Sequence, residues 1–99
     1  QQMLIGINRN HHLHRRRFSV GHEIGHLLLN HPPEIACNSA EIILYDREAD
    51  ECASELLMPE ELLAPMARKV SGIEQLSRMF QVSVQAMERR LNRLEEESL

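Results

Sequence analysis

A five-residue segment, His22-Glu23-Ile24-Gly25-His26, constrains this chain more than any other feature. On a helix, His22 and His26 lie one turn apart on the same face, so both imidazoles can bind one metal ion. Glu23 follows the first histidine, where a carboxylate can accept a proton from water at the metal. Gly25 lies between the two histidines, where a missing side chain allows another segment to approach closely. The spacing therefore predicts a helix that carries a metal site with a general base.

Two other interpretations of this segment were weighed. All six histidines lie between positions 11 and 31, so the match could arise by chance within a histidine-rich stretch. A closed structural zinc site is the other alternative, but such a site has no need of Glu23 beside a ligand. We favour a hydrolytic zinc site because His22, Glu23 and His26 are all present.

Length and composition exclude several function classes. Ninety-nine residues are enough for one compact domain with a single core. Eleven Lys and Arg against fifteen Asp and Glu give no general attraction to nucleic acid or to an anionic membrane. With three aromatic residues and no Trp, the core is expected to be aliphatic and rich in methionine.

The sequence also bears on compartment. It has no signal-peptide pattern and no apolar stretch of membrane length, which predicts a cytoplasmic protein without membrane contact. Cys37 and Cys52 are too few for a disulfide framework and are expected to be ordinary packing residues. The chain begins with Gln1-Gln2 and runs straight into an apolar segment, so we expect a fragment or a processed product.

The remaining patterns predict a mostly helical α+β fold. Residues 3–7 (Met-Leu-Ile-Gly-Ile) fit a short strand that belongs to a small N-terminal sheet. Its edge could receive an extended substrate by backbone hydrogen bonds. A first helix is expected over about residues 15–30 and is ended by His31-Pro32-Pro33, because the residue before a proline avoids helical geometry. A second helix is expected over about residues 45–58, and a third begins at Pro59. A capping-box pattern at Ser71 predicts a fourth helix, and Ser83 can cap a fifth.

A catalytic zinc site needs a third protein ligand, and an acidic segment on the second helix offers one. Asp46 and Asp50 are four residues apart and share a helix face, so one could bind zinc while the other orients a ligand histidine. Glu48 points about 200° away from Asp46 at 3.6 residues per turn, so both cannot reach one ion from a regular helix. We expect Asp46 as the ligand, with Glu48 as the alternative.

Two segments of the chain resemble the signatures of the ImmA/IrrE family of metallopeptidases. Residues 17–29 (Arg-Phe-Ser-Val-Gly-His-Glu-Ile-Gly-His-Leu-Leu-Leu) look like the active-site helix of that family. Residues 47–59 (Arg-Glu-Ala-Asp-Glu-Cys-Ala-Ser-Glu-Leu-Leu-Met-Pro) look like its second signature, roughly E-x-E-A-N-x-F-A-x-x-L-L-M-P. The resemblance extends over residues 4 to about 94. It implies a zincin-like fold with a small sheet, an active-site helix and a glutamate-bearing helix.

The resemblance implies roles for individual residues. It makes His22 and His26 zinc ligands and Glu23 the general base. The ligand glutamate of the family falls on Asp46, whose side chain is one methylene shorter. This departure keeps Glu48 as the alternative ligand.

Two further positions depart from the family pattern. Asp50 stands where the family often has Asn and is assigned to support a ligand histidine. Cys52 replaces the usual Phe, which changes packing and leaves the chemistry alone. Tyr45, at the start of the same helix, is a candidate second electrophile, and simple packing is the alternative role for it.

The last helices resemble a helix-turn-helix. Residues 73–94 carry small and apolar residues at the usual spacing, so we divide the chain into a zincin-like core (1–70) and a helix-turn-helix-like segment (71–99) packed in the same domain. Three arginines of the final helix, Arg89, Arg90 and Arg93, could meet phosphates or an acidic partner. Because acids are numerous on the same helix, DNA contact is less favoured than a structural or repressor-docking role.

These features together predict a zinc metalloendopeptidase. The family resemblance implies a prokaryotic or phage protein that cleaves a helix-turn-helix repressor and so derepresses stress or mobile-element genes. The alternative is a catalytically weak sensor or DNA-binding module that retains the zincin scaffold. The shortened Asp46 and the helix-turn-helix resemblance motivate that second hypothesis.

Overall fold

The described part of the chain consists of five α-helices and one short 3-10 helix. The computed structural model describes residues 2–98, with side chains from residue 12 onward. The α-helices are α1 (Gln2–Leu28), α2 (Ser39–Leu57), α3 (Glu60–Lys69), α4 (Ile73–Phe80) and α5 (Val84–Glu97), and the 3-10 helix is Glu34–Ala36. No strand occurs between residues 2 and 98. The predicted α+β fold with an N-terminal sheet is therefore wrong, and the described fold is all-α.

The segment predicted as a strand, residues 3–7, lies within α1. A five-residue apolar run does not distinguish a strand from a helix by its periodicity. No proline interrupts the chain before position 32, and a helix already nucleated gains one hydrogen bond for each residue added. Polar residues 8–10 cost only a few tenths of a kcal/mol each in a helix, roughly. With no strand there, the proposed sheet edge for substrate loses its basis.

Helix α1 packs against α2 through small residues. A Cβ atom added to Gly25 would lie 2.9 Å from the carbonyl oxygen of Ala49, and one added to Gly21 would lie 3.0 Å from the Cβ of Ala53. Ala49 and Ala53 are fully buried. The close approach predicted for Gly25 is confirmed, and it brings the histidine face of α1 against α2.

Helix α2 begins six residues earlier than the sequence analysis placed it. Asn38 caps it: its side chain accepts a hydrogen bond from the backbone N–H of Glu41 at 2.9 Å. The Glu41 carboxylate accepts in return from the Asn38 N–H at 2.9 Å. The motif Asn38-Ser39-Ala40-Glu41 is a capping box, which accounts for the earlier start of α2.

The largest buried cluster joins the end of α2 to the last three helices. It contains Met58, Leu63, Leu76, Val82 and Met87. The expected aliphatic, methionine-filled core is thus present. It draws residues from both sides of position 70.

The boundaries of the last two helices differ in how well they follow the sequence. Ser83 caps α5 as predicted, because its hydroxyl accepts from the Ala86 N–H at 3.0 Å. The capping box predicted at Ser71 is absent, since α4 begins after Gly72, whose φ of 122° is strained for other residues. Among the helices of residues 2–98, none combines the length and apolarity needed to cross a membrane.

Candidate metal centre

Three side chains from α1 and α2 bring their donor atoms together. The Nε2 atoms of His22 and His26 are 2.9 Å apart. One carboxylate oxygen of Asp46, Oδ1, lies 3.4 Å from Nε2 of His22 and 3.3 Å from Nε2 of His26. Within the described residues, these three form the cluster of His, Cys, Asp and Glu side chains with the spacing of a metal site.

Two edges of this triangle have the length expected in a zinc site, and the third is shorter. Zinc in a tetrahedral site binds nitrogen and oxygen at about 2.0–2.2 Å, which places neighbouring donor atoms about 3.3–3.6 Å apart. Two of the three edges fall in this range, and the third is 0.4 Å shorter than its lower end. Two imidazoles and one carboxylate are also a common ligand set of catalytic zinc. The donor set therefore fits zinc.

Asp50 supports the first histidine. Its Oδ1 lies 2.7 Å from Nδ1 of His22, so the Nδ1–H of the imidazole donates to the carboxylate. This contact fixes the tautomer that leaves a lone pair on Nε2, which faces Asp46 and His26. The predicted pairing of Asp46 and Asp50 on one helix face is present, and the two carboxylates contact opposite edges of one imidazole.

His31 takes the corresponding place beside the second histidine. Its Nδ1 lies 2.9 Å from Nδ1 of His26, and its Nε2 lies 2.8 Å from a carboxylate oxygen of Glu48. An ionised carboxylate only accepts, so His31 donates to Glu48 through Nε2–H. With its proton on Nε2, the ring of His31 can accept at Nδ1 from the Nδ1–H of His26. The Nε2 atom of His26 is left with a lone pair toward His22 and Asp46.

The end of α1 explains why His31 reaches back to His26. Asn30 adopts a left-handed conformation with φ of 56°. The backbone N–H of His31 donates to the carbonyl of His26 at 3.0 Å, and that of Asn30 donates to Leu27 at 3.1 Å. This pair of bonds is a Schellman motif, in which the residue after the left-handed one folds back onto the last turn. The prolines that follow were predicted to end the helix, but the reversal occurs at Asn30, before them.

Glu23 is exposed and lines a cavity of about 440 Å³ beside the three donor atoms. The same cavity is lined by His22, His26 and Asp46. The side chains of the two histidines are 22% and 26% exposed, and that of Asp46 is 55% exposed. A water molecule or a substrate carbonyl can therefore reach the donor atoms on the side where Glu23 lies.

Tyr45 and Cys37 also line this cavity. The ring of Tyr45 packs on that of His31, with centroids 4.5 Å apart and a tilt of 31°. Partial burial raises the pKa of the Cys37 thiol, and the charges of Glu41 and Glu34 add to the effect. Cys37 lies outside the cluster of donor atoms formed by His22, His26 and Asp46.

A larger cleft shares Asp46 with this cavity. It has a volume of about 880 Å³, lies between α1, α2 and α5, and is lined by Asp46 and Asp50 among others. Its lining includes apolar side chains (Phe18, Ile43, Val82 and Ala86) and arginines (Arg47, Arg89 and Arg93). Asp46 thus lies at the boundary of two cavities.

Two of the three arginines considered for DNA contact are engaged within the protein. Arg90 is buried, and its Nε donates to the carbonyl of Met58 at 3.0 Å. Met58 is the C-cap residue of α2, so this bond satisfies a carbonyl at the end of that helix. Arg93 lies 2.7 Å from the carboxylate of Glu51. Arg89 is exposed. The structure therefore leaves a weaker basic surface on α5 than the sequence suggested.

Most of the site residues predicted on α1 and α2 lie close together in the structure, and one neighbouring residue, His31, was not predicted. His22, His26, Asp46 and Asp50 meet, and Glu48 points to another group. His31 was considered only as the residue before a proline. The sequence signal for His31 is its position directly after Asn30 and five residues after His26. An asparagine in the αL conformation can fold the next residue back onto the end of the helix.

Comparisons with known proteins identify the family of the chain. A comparison with protein families matches residues 1–92 to the peptidase family described as the IrrE N-terminal-like domain. Searches of curated proteins and of solved structures found no match. The family match covers most of the chain, and the residues of the candidate centre lie inside it. The chain therefore belongs to the IrrE N-terminal-like domain family of metallopeptidases (Peptidase_M78).

Proposed function

We propose that this protein is a zinc-dependent endopeptidase. The observation that carries the proposal is the triangle formed by Nε2 of His22, Nε2 of His26 and Oδ1 of Asp46, with Glu23 on the wall of the same cavity. Its dimensions fit zinc, and the cavity leaves room for water and substrate. Glu48, the alternative ligand, is occupied by His31.

The residues divide the chemistry between them. When bound, zinc lowers the pKa of water and polarises a carbonyl oxygen. Glu23 accepts a proton from water as oxygen attacks the peptide carbonyl, and it then donates that proton to the leaving amine nitrogen. Asp50 holds the imidazole of His22 in place, so the donor atoms need no reorganisation during the reaction.

The two cavities favour a polypeptide as substrate. An extended segment that crosses the centre would occupy both the smaller cavity and the larger cleft, which share Asp46 in their linings. The larger cleft combines apolar walls with arginine and carboxylate side chains, which suits a segment with apolar and charged side chains. A protein partner is favoured over DNA because Arg90 is buried and Arg93 is paired with Glu51.

We further propose that the substrate is a helix-turn-helix repressor and that its cleavage derepresses stress or mobile-element genes. The family membership supports a peptidase, and the resemblance of the two signature segments to the ImmA/IrrE metallopeptidases supports a repressor as its substrate. Co-expression with a repressor encoded near this gene, followed by mass spectrometry of its fragments, tests this part. Full-length repressor recovered intact, while other peptides are cut, would contradict the assignment of the substrate alone.

The proposed activity is tested with zinc-loaded protein and a peptide library made from a bacterial proteome. Mass spectrometry of new N-termini should show cleavage by the parent protein and none after zinc is removed by a chelator. The matched control is Glu23→Gln, which keeps the size of the side chain and removes the base. Equal cleavage by the parent and Glu23→Gln would show that the activity comes from a contaminant or from another mechanism.

A further inference from the structure

The ring of His31 is enclosed, and both of its nitrogens are engaged. Its side chain is only 5% exposed, whereas those of Glu48 and His26 are 43% and 26% exposed. Its two ring nitrogens lie within hydrogen-bond distance of His26 on one side and Glu48 on the other. A buried imidazole with both nitrogens satisfied is fixed in orientation.

We propose that His31, backed by Glu48, is a positioning residue of the metal centre, which holds His26 in the tautomer that presents Nε2 to zinc. The inference rests on the proposed zinc site and adds a role to two residues of this chain. Asp50 does for His22 what the His31–Glu48 pair does for His26, so each ligand histidine has its own support. A carboxylate completes both supports, directly for His22 and through one imidazole for His26.

The tautomer argument gives this support its importance. With Nδ1 protonated, each histidine directs a lone pair from Nε2 toward the other, and the two atoms are 2.9 Å apart. Such lone pairs repel each other unless a cation or a proton lies between them. Without His31, His26 can carry its proton on Nε2 and donate it to Asp46 or His22. That rearrangement satisfies the side chains internally and competes with metal binding.

Support of this kind is expected to change metal affinity by about 10- to 100-fold. His31 also contributes packing, because its ring contacts the ring of Tyr45. Two substitutions separate these contributions. His31→Phe keeps a ring against Tyr45 and removes both nitrogens. His31→Asn removes the ring but places an oxygen where Nδ1 was, one atom beyond Cγ.

The experiment measures zinc affinity by competition with a chromophoric chelator, starting from apo-protein. We expect His31→Phe to bind zinc about 10- to 100-fold more weakly than the parent, and His31→Asn to recover most of that loss. Equal affinity of His31→Phe and the parent would overturn the proposal. Equal losses in the two variants would overturn it too, because packing and not the hydrogen bond would then be responsible.

A substitution of Glu48 removes the outer hydrogen bond and leaves the ring of His31 unchanged. It tests the proposal even if His31→Phe does not fold. Glu48→Ala should weaken zinc binding by about two- to tenfold, a smaller loss than that of the inner residue. Glu55→Ala is the matched control, since it removes a carboxylate from an exposed position of α2 two turns further on. The same affinity in both variants would remove Glu48 from the support.

A spectroscopic readout accompanies the affinities. In zinc-loaded parent protein, NMR should show a slowly exchanging proton on Nδ1 of His26, protected by its bond to His31. The signal should broaden or disappear in His31→Phe and persist in Glu55→Ala. If the parent binds zinc and this proton exchanges freely, only the role of His31 fails. A parent protein that binds no zinc would overturn the proposed function as well.

Discussion

The Cβ atom that Gly25 lacks would lie 2.9 Å from the carbonyl oxygen of Ala49 and 3.1 Å from its Cα. The backbones of α1 and α2 are therefore in contact at this point. Because His22 and His26 flank the contact on α1, and Asp46 and Asp50 flank it on α2, this contact sets the distances between the donor atoms. The metal centre depends on a missing side chain.

Gly25→Ala should separate the two helices. The added methyl meets backbone atoms, which cannot rotate away, so we expect a loss of about 1–3 kcal/mol in the free energy of unfolding. Zinc affinity should fall as well, since the donor atoms move apart. Chemical unfolding and a zinc titration measure the two effects. Val20→Ala, at an exposed position of α1, is the control and should leave both unchanged. A Gly25→Ala protein as stable as the parent would show that the helices tolerate separation.

Asp46→Ala should lower zinc affinity by more than about 100-fold, beyond the loss expected for a supporting residue. Asp46 provides one of three donor atoms, whereas the carboxylate of Glu48 is bonded to His31. Glu48→Ala should therefore lose much less. The measurement is a chelator competition on both variants. A greater loss in Glu48→Ala would move the ligand to Glu48 and contradict the assignment of Asp46.

Glu23→Gln should leave zinc affinity and unfolding free energy unchanged and abolish peptide cleavage. Glu23 lines the cavity but is not one of the three donors, so its loss removes the base and leaves the site intact. Zinc content and thermal unfolding serve as controls in the same preparation. Retained cleavage with retained zinc would assign the base to another residue. Loss of zinc would instead make Glu23 a ligand.

Asn30→Val should disturb the turn that folds His31 back onto α1. A β-branched residue in the left-handed conformation costs roughly 1–2 kcal/mol, whereas glycine adopts it freely. Asn30→Gly should therefore retain stability and zinc affinity, and Asn30→Val should lose both. Unfolding curves and zinc titrations of the pair test this. Identical behaviour of the two variants would show that φ at position 30 does not matter.

Cys37 should be a slow nucleophile at pH 8. Burial raises the pKa of its thiol, with Glu41 and Glu34 adding to the shift, so a smaller fraction is thiolate than in an exposed cysteine. Glu41→Gln removes one of these charges and can keep the capping box, so alkylation by iodoacetamide should become faster. Peptide mapping distinguishes Cys37 from Cys52. Glu60→Gln, on α3, is the control. A slower reaction in Glu41→Gln would contradict the sign of the charge effect.

Much of the site could be predicted from the sequence because helical periodicity determines which residues share a face. The four-residue spacings of His22 with His26 and of Asp46 with Asp50 predict that each pair lies on one face of its helix. The prediction of an N-terminal strand was wrong because a run of five apolar residues shows no periodicity. The neighbouring helix α1 extends through this run.

His31 could not be assigned from periodicity, since it lies outside the regular part of α1. Its position depends on the left-handed conformation of Asn30, which is one of several conformations that asparagine adopts. The start of α2 was missed for a different reason: the capping box at Asn38 and Glu41 was present in the sequence but was overlooked. Local turn chemistry was thus the main source of error around the site.

The most direct test of the zinc site is X-ray absorption at the zinc edge on protein loaded with one equivalent of zinc. The structure predicts uptake of one ion bound by two imidazole nitrogens and by oxygen ligands at about 2.0–2.2 Å. The imidazole signature should weaken in His22→Ala and remain in Glu55→Ala. A sulfur shell at about 2.3 Å would place zinc on a cysteine. That result, or no uptake of zinc at all, would contradict the centre formed by His22, His26 and Asp46.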